Sequence, residues 1–333
     1  MKQTVYALFL VIYSYPAWGQ IAQRRPEYCG LPGGMSPTIP YNLNAAVDPG
    51  GDATIYVGRG SSARGISLTF GGLPPLISEI SQICPLADGR LVAFAGYLDS
   101  DVYIINPAKD SLVDMFRAGA SVISPNQRWI VFEKAAVRGV AASSQYMLYD
   151  LNKPPGENRP KGFGGVLEVG RVIFPPGYEN FPGSNVDLPK EKQHGGLSRF
   201  FWAPDSRSIV FVDESVDGIG VIWVRIDENG APAAFRRPLS RTEICGREIQ
   251  DEFSWTLNGV QFQPDVPGGG TMLLDVFPWK GQPNVRDSVC NAHTLELRME
   301  DFQPAKQEPN VWEEPVRGKI RDGQVVTPPK KKE

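Results

Sequence analysis

The chain has 333 residues, 41% hydrophobic and 21% charged, a globular composition that excludes a disordered or fibrous chain. Its formal net charge of −3 and pI of about 5.6 oppose a phosphate backbone, so nucleic acid is not an expected partner. Four cysteines and two histidines, with no two cysteines within four residues of each other, exclude the usual zinc spacings, and no metal or cofactor is expected.

Residues 1–19 carry a cation at Lys2, an apolar stretch from Val5 to Tyr13, and Ala17-Trp18-Gly19 after Pro16. This is the pattern of a cleaved secretory signal. About nine apolar residues fall short of the ~20 needed to span a bilayer. The mature chain is therefore expected to begin near Gln20, without a transmembrane segment, in a secreted or periplasmic location. Residues 20–40 read as an N-terminal extension and 41–303 as the main domain. An even number of cysteines in an oxidising compartment predicts disulfides. The favoured pairs are Cys29–Cys84 and Cys245–Cys290, because they join neighbouring repeats at each end of the chain.

A strand signature then recurs in Ile83–Ala95 (ICPLADGRLVAFA), Ser121–Glu133 (SVISPNQRWIVFE) and Arg199–Asp213 (RFFWAPDSRSIVFVD). Each copy holds an apolar run, a polar turn, an arginine and a β-branched run with an aromatic near its end. Asp88, Asn126 and Asp205 read as turn residues, each able to hydrogen-bond backbone two residues on. The aromatic of each copy is a ruler: Tyr56, Phe94, Phe132, Phe211 and Phe262 are separated by 38, 38, 79 and 51 residues. Four-stranded propeller blades run roughly 40–45 residues, so the spacing is blade-sized. Val172-Ile173-Phe174 marks a degenerate copy inside the long interval. Second strands are expected at Gly65–Phe70, Asp101–Asn106, Gln145–Asp150, Gly220–Asp227 and Thr271–Phe277, all short, β-branched and aromatic. Helical periodicity is nearly absent. The expected fold is all-β, a β-propeller of four-stranded blades with five clear repeats and an arguable sixth.

The segment Phe201–Val212 (FWAPDSRSIVFV) resembles the WD-like repeat of TolB-type β-propellers, and Ser124–Glu133 and Pro85–Ala95 match it less closely. The resemblance covers Tyr41 to Phe277 and implies the propeller fold. It leaves the activity open, because the repeat occurs in periplasmic translocation and envelope-assembly factors and in propeller domains that gate prolyl-oligopeptidase-like peptidases. The chain departs from the pattern at Gln127, at Leu257-Asn258, and between Pro175 and Gly196.

The chemistry is sparse. No G-x-S-x-G nucleophile elbow is present and no hydrolase domain is expected beside the propeller, and His194 and His293 read as ordinary loop and strand residues. Acidic groups occur at Asp99 with Asp101, at Asp213, Glu214 and Asp217, and at Asp251 with Glu252. Paired carboxylates in a central funnel would suit a glycosidase, lyase or lactonase. The Asp213–Gly218 run lacks EF-hand spacing for calcium. The insertion Pro175–Ser198 is long for a compact domain, and its Tyr178, Phe181 and His194 are candidate partner contacts. Residues 304–333, ending in Lys330-Lys331-Lys332, read as a flexible charged tail. The functional expectation is a non-catalytic module that binds a protein or cell-envelope component, with a propeller glycoside hydrolase, lyase or lactonase as the alternative. Oligomeric state stays open.

Overall fold

A computed structural model describes residues 27–28, 43–47, 53–57, 64–67, 80–95, 100–134, 145–159, 169–177, 200–215, 218–248, 254–266, 269–280, 287–288, 290, 293–307, 320–321 and 324–325. Strand β1 (Glu27–Tyr28) precedes a three-stranded antiparallel sheet of β2 (Leu43–Val47), β3 (Ala53–Val57) and β4 (Arg64–Ser67). A long antiparallel meander follows: β5 (Ile80–Pro85), β6 (Leu91–Ala95), β7 (Ser100–Asn106), β8 (Ser111–Ile123), β9 (Trp129–Lys134), β10 (Tyr146–Asp150) and β11 (Arg171–Phe174). The β1 strand joins its first edge, parallel to β5. Next come β12 (Phe201–Trp202), β13 (Ser208–Ser215), β14 (Gly218–Ile226) and β15 (Pro232–Pro238). A short helix α1 (Arg241–Cys245) leads to β16 (Ser254–Val266), β17 (Gly269–Lys280), β18 (Asp287–Ser288) and β19 (His293–Arg298). Then β20 (Gln303–Pro304) pairs with β15, and β21 (Ile320–Arg321) pairs with β22 (Gln324–Val325), so parts of the expected tail belong to sheets.

The second strands lie where the β-branched runs place them. β7, β10, β14 and β17 overlap all of the residues expected there except their ends, and β4 covers the first part of Gly65–Phe70. One departure is instructive. Four-stranded units imply separate sheets, yet β8 is a single 13-residue strand that pairs with β7 in its first part and with β9 in its last. Its register shifts between Ala118 and Ser121, beside Gly119, where the chain turns from one unit to the next. A bulge of this kind bends and re-aims a strand.

Alternation along each strand sends side chains to two different cores. Ile130, Phe132, Met147 and Tyr149 face Val92, Phe94, Ile104 and Phe116 in one core. Trp129, Val131, Tyr146 and Leu148, their neighbours in sequence, face Ile209, Phe211, Ile222 and Val224 in a second. The opposite face of that sheet, Val210, Val212, Val221 and Trp223, packs against Leu257, Met272, Leu274 and Val276 in a third. The period of two residues is that of strands buried on both faces. The molecule is nearly all β, with antiparallel sheets stacked face to face, which fits a propeller.

Of the five ruler aromatics four lie in the packing, and the side chain of the fifth, Tyr56, is outside what the structure describes. Phe94, Phe132 and Phe211 are buried, Phe262 packs on the third core, and Phe211 lies 4.6 Å from Tyr146 and 5.5 Å from Phe200, ring to ring. Helix α1, which periodicity does not announce, exists through its caps. Ser240 and Glu243 form a reciprocal capping box and Gly246 ends the helix in the left-handed region, satisfying end groups that a five-residue helix cannot bond internally. Cys245 in that helix forms a disulfide with Cys290, Cα–Cα 5.5 Å. Cys84 is also disulfide-bonded; Cys29, its expected partner, lies outside the described residues. No helix among the described residues is long and apolar enough to cross a membrane.

Candidate binding cleft

The three signature turns share one hydrogen-bond plan. The side-chain oxygens of Asp88, Asn126 and Asp205 accept from the backbone N–H of Arg90, Arg128 and Arg207 at 2.9, 3.1 and 2.8 Å, as their role in the turns requires. One residue further on, Gly89, Gln127 and Ser206 all adopt positive φ, at 85°, 57° and 58°. Only the first is glycine. The other two use their side chains to tie one turn to the one before it. Gln127 Oε1 accepts from Ala87 N–H at 2.7 Å while its Nε2 donates to Pro85 O at 3.3 Å. Ser206 Oγ accepts from Asn126 N–H at 2.9 Å. The departure from the repeat at Gln127 is thus a link between repeats.

This ladder forms one wall of a cleft of about 460 Å³, within the ordinary size range of ligand pockets, roughly 300–1,000 Å³. The first strands of three repeats converge there. β5 contributes Gln82 and Pro85, the end of β8 contributes Ser121 and Val122, and β12 contributes Phe201 and Trp202. Phe200 and Val260 complete the apolar side. Gln82 stands opposite Phe94 and Ser121 opposite Phe132 in the strand registers, so both occupy the same place in their repeats. Among the described residues neither side chain has a hydrogen-bond partner. Trp202 Nε1 donates to Val122 O at 3.4 Å, which bridges β12 and β8 across the cleft and orients the indole. Val122 is the one large hydrophobic among the described residues that is exposed, at 37%. Among the described residues the lining is uncharged: amides, hydroxyls, aromatic rings and aliphatic groups.

The candidate contacts and carboxylates singled out in the sequence are not among the described lining residues. Tyr178, Phe181 and His194 lie outside the described residues, as do Asp99, Asp217, Asp251 and Glu252. His293 opens β19 and Asp101 belongs to β7. Asp213 is fully buried, 4.0 Å from Arg236 Nε. Its neighbour Glu214 has its carboxyl pushed above the usual range by burial and by the Asp213 charge, against a smaller pull from Arg241. This pair is not part of the cleft lining. No group of three or more metal-ligating side chains occurs among the described residues. Gln82 and Ser121 escaped notice in the sequence. Their signal is a polar residue at the start of an apolar run, repeated at the position that faces the ruler aromatic.

A second polar cluster is buried between sheets. Asp114 on β8 is 0% exposed, one residue beyond a register shift in the β7–β8 pairing. Tyr149 OH donates to its Oδ2 at 2.8 Å, Arg159 grips both oxygens at 3.0 and 2.5 Å, and Met115 N–H donates to Oδ1 at 2.8 Å. The Tyr149 ring stacks on Phe116 with centroids 5.0 Å apart. Burial first, and then the Asp114 charge, push the Tyr149 hydroxyl far above its ordinary pKa, so it is a permanent donor. Each acceptor is met, and the cluster is a lock rather than a reactive site.

No family model matches the chain, and no curated protein does. Among solved structures, hydrazine synthase of Kuenenia stuttgartiensis aligns with 76% of this chain at 13% identity and a TM-score of 0.36, and the chain spans 64% of that protein, less than two thirds. Two proteins named as candidate 6-phosphogluconolactonases are similar at comparable levels. The one from Bacteroides uniformis aligns with 80% of this chain and 69% of its own, at 11% identity and TM-score 0.33. The one from Bacteroides fragilis aligns with 80% and 68%, at 10% identity and TM-score 0.33. Likeness at this level carries no assignment of activity.

Proposed function

We propose that the chain is a secreted or periplasmic TolB-like β-propeller that binds a protein or cell-envelope component without chemistry of its own. The observation that carries this reading is the uncharged cleft at the convergence of β5, β8 and β12, walled by turns that are hydrogen-bonded to one another. A rigid scaffold presenting an apolar cleft with a few polar groups is the ordinary design of a binding site. Proton transfer or nucleophilic attack needs titratable groups at the reacting centre, and the described lining supplies amides and hydroxyls instead. The apolar leader and the disulfide support export. In this reading residues 1–19 are removed, 41–303 form five or six blades, and the 175–198 insertion adds Tyr178, Phe181 and His194 to the partner contact.

The test is a pull-down from envelope extract with the chain from Gln20 onward, beside Trp202→Ala and a form lacking Pro175–Ser198. The expected result is recovery of one component, weakened by the cleft substitution. Recovery that is insensitive to Trp202→Ala would remove the cleft from the reading. Loss only on deleting the insertion would move the site to that loop. Recovery of nothing above background would end the binding reading.

A further inference from the structure

We infer that the cleft takes an uncharged saccharide, with a sugar ring laid against Trp202 and its hydroxyls met by Gln82 and Ser121. The inference rests on the binding reading above and names its ligand class.

Charge is the first criterion. A ligand carboxylate or phosphate entering this cleft would lose hydration and find no opposite charge among the described lining residues, and an unpaired charge removed from water is strongly disfavoured. The ligand is therefore neutral. Polarity is the second. Gln82 offers two N–H donors and a carbonyl, and Ser121 a hydroxyl. Both are uncommitted among the described residues. A lipid tail or other purely apolar ligand would cover these groups without pairing them, at about 1–3 kcal/mol for each group left unsatisfied. The ligand thus brings several small donors and acceptors of its own.

Shape is the third criterion. Trp202 and Phe201 line the cleft from β12, and the two polar side chains line it from β5 and β8. The indole, half-buried against the second core and donating to Val122 O at 3.4 Å, is held in place beside the cleft. An aromatic face carries negative charge density and attracts the weakly positive C–H groups of a pyranose face, while the sugar's equatorial hydroxyls point outward to amide and hydroxyl partners. A neutral extended peptide is the nearest competitor, but it would seek the free backbone edge of β8, and there the Val122 carbonyl already accepts from Trp202. A flat ring with a C–H face and a hydroxyl rim suits both sides of the cleft at once.

The experiment is calorimetric titration of the chain from Gln20 onward with chitotetraose, cellotetraose and maltotetraose, and with tetragalacturonate as the anionic counterpart. At least one neutral tetrasaccharide is expected to bind and the anionic one to bind at least about tenfold more weakly, one decade being the natural unit of affinity. Trp202→Ala and, separately, Gln82→Ala should each weaken the neutral ligand about tenfold or more. Trp202→Phe should retain part of the affinity, which keeps the test valid should the alanine variant fold poorly. Absence of binding by all three neutral sugars overturns the saccharide assignment, as does binding that survives both Trp202→Phe and Gln82→Ala unchanged. If the sugars fail while envelope capture still depends on Trp202, the binding module stands and only its ligand class falls. If both fail, both readings fall.

Discussion

Two seams between stacked sheets are closed in different ways. Around the first core the chain passes from one unit to the next without leaving β8, and the lock across the seam is Asp114, gripped by Arg159 and Tyr149. Around the third core the chain leaves β15, forms α1 and continues to β16, and there the lock is the Cys245–Cys290 disulfide. A shared strand already limits how far two sheets can part, so a non-covalent lock suffices there. A connection that leaves the sheet gains more from a covalent one, which restricts the unfolded chain.

Breaking the first seam should have the largest effect. Asp114→Ala leaves the Arg159 charge and the Tyr149 hydroxyl in a mostly buried place without their acceptor, a loss of about 3–5 kcal/mol. Replacing Asp114 and Arg159 together with apolar residues of similar volume should restore much of that, because it is the orphaned charge that costs most. Equilibrium denaturation in urea measures both. A double variant no better than Asp114→Ala would show that geometry, not charge, holds the seam.

The second seam should yield nearly as much when it is cut. The cysteines are 45 residues apart, for which the loop-entropy account assigns about 4 kcal/mol. Cys245→Ala with Cys290→Ala should lower the melting temperature. Asp114→Ala should then add to the loss in full, since distant sites are independent to within about 0.5 kcal/mol. A large non-additive remainder would mean that the two seams are coupled through the intervening sheets.

The acidic groups sharpen the contrast. Asp114 is fully paired, whereas Glu214, near Arg241 at the start of α1, sits with its carboxyl raised by burial and by Asp213. A raised acid favours the folded state most when protonated. Its contribution is complete below its ordinary value of 4.5 and is lost as pH climbs through the folded-state value. Glu214→Gln should remove this loss, so the variant should gain melting temperature relative to the parent between weakly acid and neutral pH. Parallel pH profiles for the two would refute the assignment.

The sequence makes the strands and turns legible because their signals are local. Near-continuous β-branched and aromatic runs mark β9, β13 and β14, and Asp88, Asn126 and Asp205 mark turns through bonds two residues long. What stays hidden is what depends on distance. The continuity of β8 is masked by a register shift that leaves no single signature residue, and the Asp114–Arg159 pair is 45 residues apart. Gln82 and Ser121 look like ordinary strand residues until the registers set them opposite Phe94 and Phe132. Trp202 belongs to a motif read for its fold, and only the convergence of β5, β8 and β12 makes it a wall of a cleft.

The smallest expected effect separates conformation from contact at Gln127. Its φ of 57° costs a side-chain-bearing residue about 1–2 kcal/mol, while its two hydrogen bonds to the preceding turn return about 0.5–1.5 kcal/mol each. These terms nearly cancel, which is why a non-glycine residue is tolerated where the first repeat has Gly89. Gln127→Gly removes the strain and the bonds together and should be nearly neutral. Gln127→Ala keeps the strain, loses the bonds, and should destabilise by about 1–2 kcal/mol. If alanine were as nearly neutral as glycine, the left-handed backbone would carry little strain at this turn, and the ladder would have to be credited with less than its geometry implies. If glycine were as harmful as alanine, the bonds to Ala87 and Pro85 would outweigh the turn itself, and the ladder would be the principal support of the cleft wall.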